Sequence, residues 1–193
     1  MPQRGYNSCN CVARPRASRL LRYPACPPER VPIMNKILLQ QIILQRLSAD
    51  LLIAQRAAQT AYEAATDAEN IAENKYDTLG LEASYLATGQ ARRMNEISQA
   101  LQALQRLPVD DYQPQYGIRV GDVVLLADAD DEQRWLLLAS DAAGLKVELD
   151  NQAIMLITPH SPMGQGLLGQ VQDSEVMLQV GNRQQHFLVL AIY

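Results

Sequence analysis

The sequence predicts an α+β fold in which an N-terminal antiparallel coiled-coil helical hairpin precedes a small, mostly antiparallel sheet with a short helix. Residues 34–107 contain no proline, and their apolar positions recur at intervals of three and four. Residues 118–193 instead contain short apolar runs separated by turn residues. Because the two periods differ, we predict two domains, joined by a linker at residues 108–117 that contains two prolines.

Both arms of the hairpin carry an apolar seam with coiled-coil spacing. The first seam consists of Ile37, Leu44, Leu51, Ala58 and Ala65, with Leu47, Ala54 and Ala61 at the second position and Gln40 as the exception. The second seam consists of Ala83, Ala87, Gln90, Met94, Ile97, Leu101 and Leu104. Since leucine and isoleucine give way to alanine along the first arm, we expect the hairpin to narrow toward its tip.

The tip, residues 66–80, reads TDAENIAENKYDTLG and is rich in carboxylates. Asp67, Glu69 and Glu73 lie within seven positions of one another, with Lys75 as the single basic residue of the segment. Exposed carboxylates are most often simply solvated. They are also the ligands that Mg²⁺ takes when it is shared with a substrate phosphate and water.

Six β-like runs follow the linker. They are VVLLA from Val123, RWLLLAS from Arg134, LKVEL from Leu145, IMLIT from Ile154, VMLQV from Val176 and HFLVLAIY from His186. Turn residues separate them, as at 127–132, 141–144, 150–152 and 181–182. Six short strands in so few residues predict a small sheet, and the segment MGQGLLGQ is the place where a helix fits.

The stretch ITPHSPMGQGLLGQ, residues 157–170, has three interpretations. Its glycines lead straight into the next strand and lack a following Lys-Ser/Thr, which disfavours a phosphate loop. His160 and Ser161 are sequence neighbours that point apart in extended chain, and Ser161 precedes proline, which disfavours a nucleophilic serine. A structural turn fits best: Ser161 caps a helix, Pro162 occupies its first position, Gly169 ends it, and Leu167 and Leu168 pack onto the sheet.

Residues 1–33 differ from the rest in charge and composition. They contain six arginines, one glutamate and all three cysteines, Cys9, Cys11 and Cys26, whereas residues 34–193 contain 11 basic and 20 acidic residues. The acidic body disfavours autonomous nucleic-acid binding, and its lack of cysteine fits a reducing compartment. We expect residues 1–33 to be disordered. We hypothesise that translation starts at Met34; the rival interpretation is an organelle transit peptide.

The segment SPMGQGLLGQVQDSEVML resembles the C-terminal domain of the bacterial transcript cleavage factors GreA and GreB. The matching positions are Ser161, Pro162, Leu167, Leu168, Gly169, Val171, Asp173 and Val176, while Gln172 stands where the family often has glycine. That family also has an N-terminal coiled-coil hairpin of about 75 residues with acidic residues at its tip, similar in length to residues 34–107. The resemblance covers about 160 residues of this chain.

The resemblance implies a C-terminal domain with a fold like that of the FK506-binding proteins, which would dock at the rim of the RNA polymerase secondary channel. Ser161, Pro162, Leu167 and Leu168 would belong to the docking region, and the hairpin would enter the channel. Asp67, Glu69 and Glu73 would help to hold a Mg²⁺ ion of the polymerase, so that backtracked RNA is cleaved. The resemblance further implies a cytoplasmic protein that meets RNA only indirectly. We expect a monomer with no cofactor of its own, no enzymatic activity of its own and no membrane association.

The tip departs from the family pattern Gly-Asp-x-x-Glu-Asn-x-x-Tyr. Glu73 to Tyr76 keeps Glu-Asn and a tyrosine with one residue fewer between them, and Glu69-Asn70 is the alternative match. No glycine precedes Asp67. A regulator that enters the channel without stimulating cleavage is therefore one alternative function, and a coiled-coil interaction module without polymerase contact is another. A prolyl isomerase is disfavoured because residues 117–193 contain few aromatic side chains, namely Trp135, Phe187 and Tyr193.

Overall fold

The computed structural model describes residues 34–66, 79–180 and 183–193. The predictions for residues 1–33, for the tip residues 67–78 and for the turn at 181–182 lie outside the described residues.

Two long helices form the N-terminal part of the described chain. The first, α1, spans Lys36–Thr66 and the second, α2, spans Leu79–Gln105. The Gln40 side-chain amide donates hydrogen bonds to the carbonyl oxygens of Leu104 and Leu107, at 2.9 and 3.3 Å. Since the start of α1 lies beside the end of α2, the helices are antiparallel, as predicted.

The predicted seams are confirmed along most of the hairpin. In α1, Leu47, Ala54 and Ala61 are buried at intervals of seven residues. In α2, Ile97 and Leu104 are buried, and the five other predicted seam positions are half-buried. The 3-4 spacing therefore identifies the contacting stripe of each helix correctly wherever the two helices are each other's main neighbours.

The start of α1 departs from the predicted seam. Ile37 is 60% exposed, whereas Leu39 and Ile43, outside the predicted frame, are each 1% exposed. Leu39 and Ile43 are four residues apart and so share one helix face, which packs with Val123 and Leu125 of the sheet. The prediction for Ile37 is wrong because the first turns of α1 face the sheet as well as α2, and a two-helix pattern takes no account of the second neighbour.

The remaining elements form a six-stranded sheet with one short helix, α3. The strands are β1 Val123–Asp128, β2 Gln133–Leu138, β3 Lys146–Leu149, β4 Gln152–Ile157, β5 Glu175–Val180 and β6 Arg183–Ile192, and α3 spans Pro162–Leu167. The strand order is β3-β4-β2-β1-β6-β5. Four neighbouring pairs are antiparallel and the β2–β4 pair is parallel. The sheet is thus mixed, and mostly antiparallel as predicted.

A tight turn explains the parallel pair. Asp150 and Asn151, between β3 and β4, both have positive φ, at 50° and 62°. Two consecutive residues with positive φ are typical of the type I′ turn, which joins antiparallel strands directly. The chain leaves β2, places β3 at the edge, and returns as β4 beside β2 in the same direction.

Both faces of the sheet are buried, which explains why VVLLA is apolar without alternation. On one face, Val123, Leu125 and Trp135 pack with residues of α1 and α2. On the other, Leu126 and Phe187 belong to a second apolar cluster, which contains Leu167 of α3. The hairpin base therefore supplies the cover for one face of the sheet. The division into two domains stays a prediction.

By length and composition, α1 is apolar enough to cross a membrane. The core helix of a soluble protein can meet the same criterion. Leu39, Ile43 and Leu47 of this helix pack within the chain's own core. The composition of α1 by itself therefore gives only weak support for a membrane span.

Candidate functional site

The turn before β5 begins at Ser161, which caps α3. The Ser161 hydroxyl accepts a hydrogen bond from the Gly164 N–H at 3.0 Å and donates one to the Thr158 carbonyl oxygen at 2.7 Å. Pro162 occupies the first helical position, where a backbone N–H makes no hydrogen bond within the helix, so its absence from proline costs nothing. The predicted cap is confirmed, and the hydroxyl that a nucleophile would need is engaged in two local hydrogen bonds.

The glycines of this turn allow close packing. A Cβ atom on Gly164 would overlap the Thr158 carbonyl oxygen, and one on Gly166 would overlap the end of the Leu178 side chain. Gly169 has φ +76° and donates a hydrogen bond to the Ile118 carbonyl oxygen at 2.9 Å. These glycines therefore allow α3 and the residues around it to pack closely against β5 and against Ile118, which follows the linker. In addition, α3 has only six residues and is not the long helix that follows a phosphate loop.

Leu167 and Leu168 point in different directions. Leu167 is fully buried in the cluster beneath α3, whereas Leu168 is 40% exposed. Leu167 is the last residue of α3, whereas Leu168 follows it with a non-helical backbone (φ −54°, ψ 128°), so its side chain leaves the buried face of the helix. The prediction that Leu168 packs onto the sheet is wrong, and the prediction for Leu167 is confirmed.

The four residues predicted for docking therefore differ in accessibility. Pro162 and Leu168 are exposed, Ser161 is half-buried and Leu167 is buried. A partner could touch the first two directly, while Leu167 would act by supporting the turn from beneath. Their docking role stays a prediction.

The predicted tip acids, Asp67, Glu69 and Glu73, lie outside the described residues, between the end of α1 at Thr66 and the start of α2 at Leu79. Their role toward Mg²⁺ stays a prediction. Within the described ranges, no group of three or more His, Cys, Asp or Glu side chains could hold a metal ion.

No family model and no curated protein matches this chain. Among solved structures, the transcription factor Gfh1 is 23% identical with a TM-score of 0.35, covering 78% of this chain and 92% of that one. GreA factor homolog 1 (Gfh1) of Thermus thermophilus is 22% identical with a TM-score of 0.32, covering 78% and 94%. The elongation factor GreA/GreB from Nitrosomonas europaea is 18% identical with a TM-score of 0.30, covering 50% and 78%.

This chain is similar to Gfh1 and GreA/GreB. The GreA/GreB family that the sequence resemblance names is among these structural neighbours. The predicted α+β class is confirmed as well, with a long helical pair before a six-stranded sheet and a short helix.

The three aromatic residues of the sheet domain, on which the prolyl isomerase alternative depends, lie in two separate places. Trp135 packs in the cluster beneath the hairpin, with its ring centroid 5.8 Å from that of Tyr193. Phe187 lies in the cluster on the opposite face of the sheet. Since the sheet separates Trp135 from Phe187, the three rings do not line one cleft.

Exposed apolar side chains near the tip are the feature that we did not predict. Tyr62 of α1 is 60% exposed, and Tyr85 and Leu86 of α2 are 70% and 56% exposed. Tyr62 lines a groove of about 660 Å³ between the two helices, together with small side chains such as Ala58 and Ala87. All three exposed residues fall outside the seam positions, so the same periodicity that predicts the seam also identifies them as outward-facing.

Proposed function

We propose that this chain is a Gre-like transcription elongation factor that binds bacterial RNA polymerase through the secondary channel. The observation that carries the proposal is the combination of a two-helix hairpin with a sheet domain whose Ser161–Val176 segment has the GreA/GreB motif. α1 has 31 residues, which gives a rod of roughly 45 Å. A rod of that length with small residues in its distal seam suits entry into a narrow passage.

The chain's contribution to cleavage is positional and electrostatic. The hairpin delivers Asp67, Glu69 and Glu73 to the polymerase's active site, where their carboxylates would help to hold a Mg²⁺ ion. Carboxylates are suitable ligands for that ion. The chemistry supplied by such an ion is polarisation of the RNA phosphate and a lowered pKa of its bound water. The chain acts in the cytoplasm as a monomer, with no cofactor and no catalysis of its own.

The sheet domain remains at the channel rim, with Pro162 and Leu168 as the exposed part of its docking turn. Ser161 holds this turn through its two hydrogen bonds, and Leu167 anchors it in the core. In this arrangement the buried members of the motif fix the shape of the surface, and the exposed members contact the polymerase.

The test is RNA cleavage in backtracked complexes of bacterial RNA polymerase. The wild-type chain should shorten the RNA faster than polymerase alone does. The triple variant Asp67→Asn, Glu69→Gln, Glu73→Gln removes the charges but keeps the side-chain shapes, and should still bind while losing the stimulation. Glu63→Gln is the matched control, since Glu63 is an exposed acid on α1 that bonds to Gln59, and it should behave as wild type.

A regulator that does not stimulate cleavage is the second candidate, because the spacing of Glu73, Asn74 and Tyr76 departs from the family tip. Competition with a cleavage-active factor for polymerase, without RNA shortening by this chain, would favour that function. If polymerase does not retain the chain in a pull-down at all, the coiled-coil interaction module is the correct alternative.

A further inference from the structure

The hairpin meets the sheet mainly through apolar side chains. Leu39, Ile43 and Leu104 pack in one cluster with Val123 and Leu125. Burial of such surface is favourable but depends little on direction, so it holds two bodies together more effectively than it sets the angle between them. A directional contact is needed to fix the line along which the hairpin leaves the sheet.

Lys36 and Asp122 form a directional contact at this junction. The Lys36 Nζ lies 3.2 Å from Asp122 Oδ1, and the two side chains are only 9% and 5% exposed. The same ammonium group donates a hydrogen bond to the Asp110 carbonyl oxygen at 2.6 Å. Lys36 is the first residue of α1, so the hydrogen bond joins the beginning of the helix to the linker and the ion pair joins it to the loop before β1.

Asp122 is itself held in place by the sheet. Its Oδ2 accepts a hydrogen bond from the Arg119 N–H at 2.7 Å. Its backbone carbonyl oxygen accepts one from the Leu138 N–H at 3.0 Å, at the end of β2. The carboxylate that Lys36 contacts is therefore fixed relative to the strands.

Gly121 allows the loop to approach the linker. Its φ is +102°, and a Cβ atom there would overlap the Pro108 carbonyl oxygen. The Gly121 N–H also donates to the Leu138 carbonyl oxygen at 2.8 Å. Only a residue without a side chain brings the linker and the Asp122 loop together at this distance, and the ion pair follows from that approach.

The angle at this junction matters because the hairpin is a long lever. Over the roughly 45 Å of α1, a rotation of about 10° at the base displaces the far end by about 8 Å. A carboxylate ligand must come within about 2.1 Å of a Mg²⁺ ion. A hairpin whose direction varied by several degrees would therefore present its tip imprecisely.

We propose that the Lys36–Asp122 pair is the positioning contact that fixes the direction of the hairpin relative to the sheet. A buried ion pair contributes little net stability compared with well-packed apolar residues, so its effect lies in orientation. The pair acts within the isolated chain. Only its consequence for RNA cleavage rests on the proposed function.

The test measures the distance between the hairpin and the sheet in the full chain. Cys9, Cys11 and Cys26 are replaced by serine, and spin labels are attached at Thr60→Cys on α1 and Glu148→Cys on β3, both exposed positions. Double electron–electron resonance then gives the distribution of distances between the two spin labels. The double variant Lys36→Met, Asp122→Asn removes both charges without leaving one buried alone. It should shift or broaden the distance distribution by about 5 Å or more. Its helical circular dichroism should equal that of wild type, which shows that the variant is folded.

The control is the exposed pair Arg92–Glu96 on α2, whose removal as Arg92→Met, Glu96→Gln should leave the distribution as in wild type. If the double variant fails to fold, Lys36→Met alone serves, because it removes the contact while the Asp122 carboxylate still accepts the hydrogen bond from the Arg119 N–H. A folded variant of either kind whose distribution matches wild type overturns the proposal. This measurement involves no polymerase, so its failure is separate from failure of the proposed function.

Discussion

The base and the distal arms of the hairpin share a heptad pattern but are stabilised differently. At the base, Leu39, Ile43 and Leu104 are at most 1% exposed, because the sheet and the partner helix cover them together. In the distal arm of α1 the buried seam residues are Ala54 and Ala61. Since stabilisation follows the apolar area removed from water, each leucine at the base contributes more than each distal alanine. The base therefore holds the hairpin together.

Like the base, where Ile37 is 60% exposed, the distal arms also expose apolar side chains. Tyr62, Tyr85 and Leu86 are each more than half exposed there. Exposed apolar side chains that lie near one another often mark a contact surface. The two regions therefore differ in the size of their buried side chains, and not in whether they expose apolar ones.

The largest expected effect comes from truncating a leucine at the base. Leu104→Ala should lower the free energy of unfolding by about 2–5 kcal/mol, because Leu104 is fully buried and its loss leaves a cavity. Leu86→Ala in the distal arm is the matched control and should change it by no more than about 0.5 kcal/mol. Urea denaturation measures both. Equal losses would contradict the distinction between base and distal arms.

Two glycines give the next comparison. Gly121→Ala at the base should cost about 1–3 kcal/mol, because alanine is strained at positive φ and its methyl group would overlap the Pro108 carbonyl oxygen. Gly89→Ala in α2 should instead stabilise by about 0.5–1 kcal/mol, since a Cβ there meets no atom within 4 Å and alanine favours helix. Thermal unfolding should move the two midpoints in opposite directions. A stabilised Gly121→Ala would show that the junction does not need the close approach.

Sequence patterns predicted those parts of the molecule that depend on one neighbour or on local bonds. Ala54 and Ala61 were predicted correctly because α2 is their main neighbour, and the Ser161 cap was predicted because its partners lie within three residues. The prediction that Ile37 is buried in the seam was wrong because the start of α1 packs against the sheet as well as against α2. The prediction for Leu168 was wrong because it placed Leu168 on the sheet together with its neighbour Leu167.

Long-range polar contacts could not be predicted. Lys36 and Asp122 are 86 positions apart, and each alone resembles an ordinary surface charge in the sequence. The parallel pairing of β2 with β4 likewise depends on how the β3–β4 hairpin folds back, which no single strand pattern encodes. The segment from Ser161 to Gly169 predicted a capped turn, whereas the geometry of the junction between sheet and hairpin emerged only from the structure.

The smallest expected effect is the response of the base to alkaline pH. Burial raises the pKa of Tyr193, whose ring packs near Trp135 and whose hydroxyl has no hydrogen-bond partner among the described residues. The folded state thus holds this proton more tightly than the unfolded state, whose pKa is about 10. The associated stability is fully present below that value and is lost as pH rises through the folded-state pKa.

Tyr193→Phe has no proton to lose, so its free energy of unfolding should fall less steeply than that of wild type above pH about 10. Tyr85→Phe, which changes an exposed tyrosine of the distal arm, should follow the wild-type curve. Urea titrations at a series of alkaline pH values measure the slopes. If the Tyr193→Phe and wild-type curves run parallel, the base has no alkaline sensitivity of this origin, and its difference from the distal arms lies in packing and in the Lys36–Asp122 contact alone.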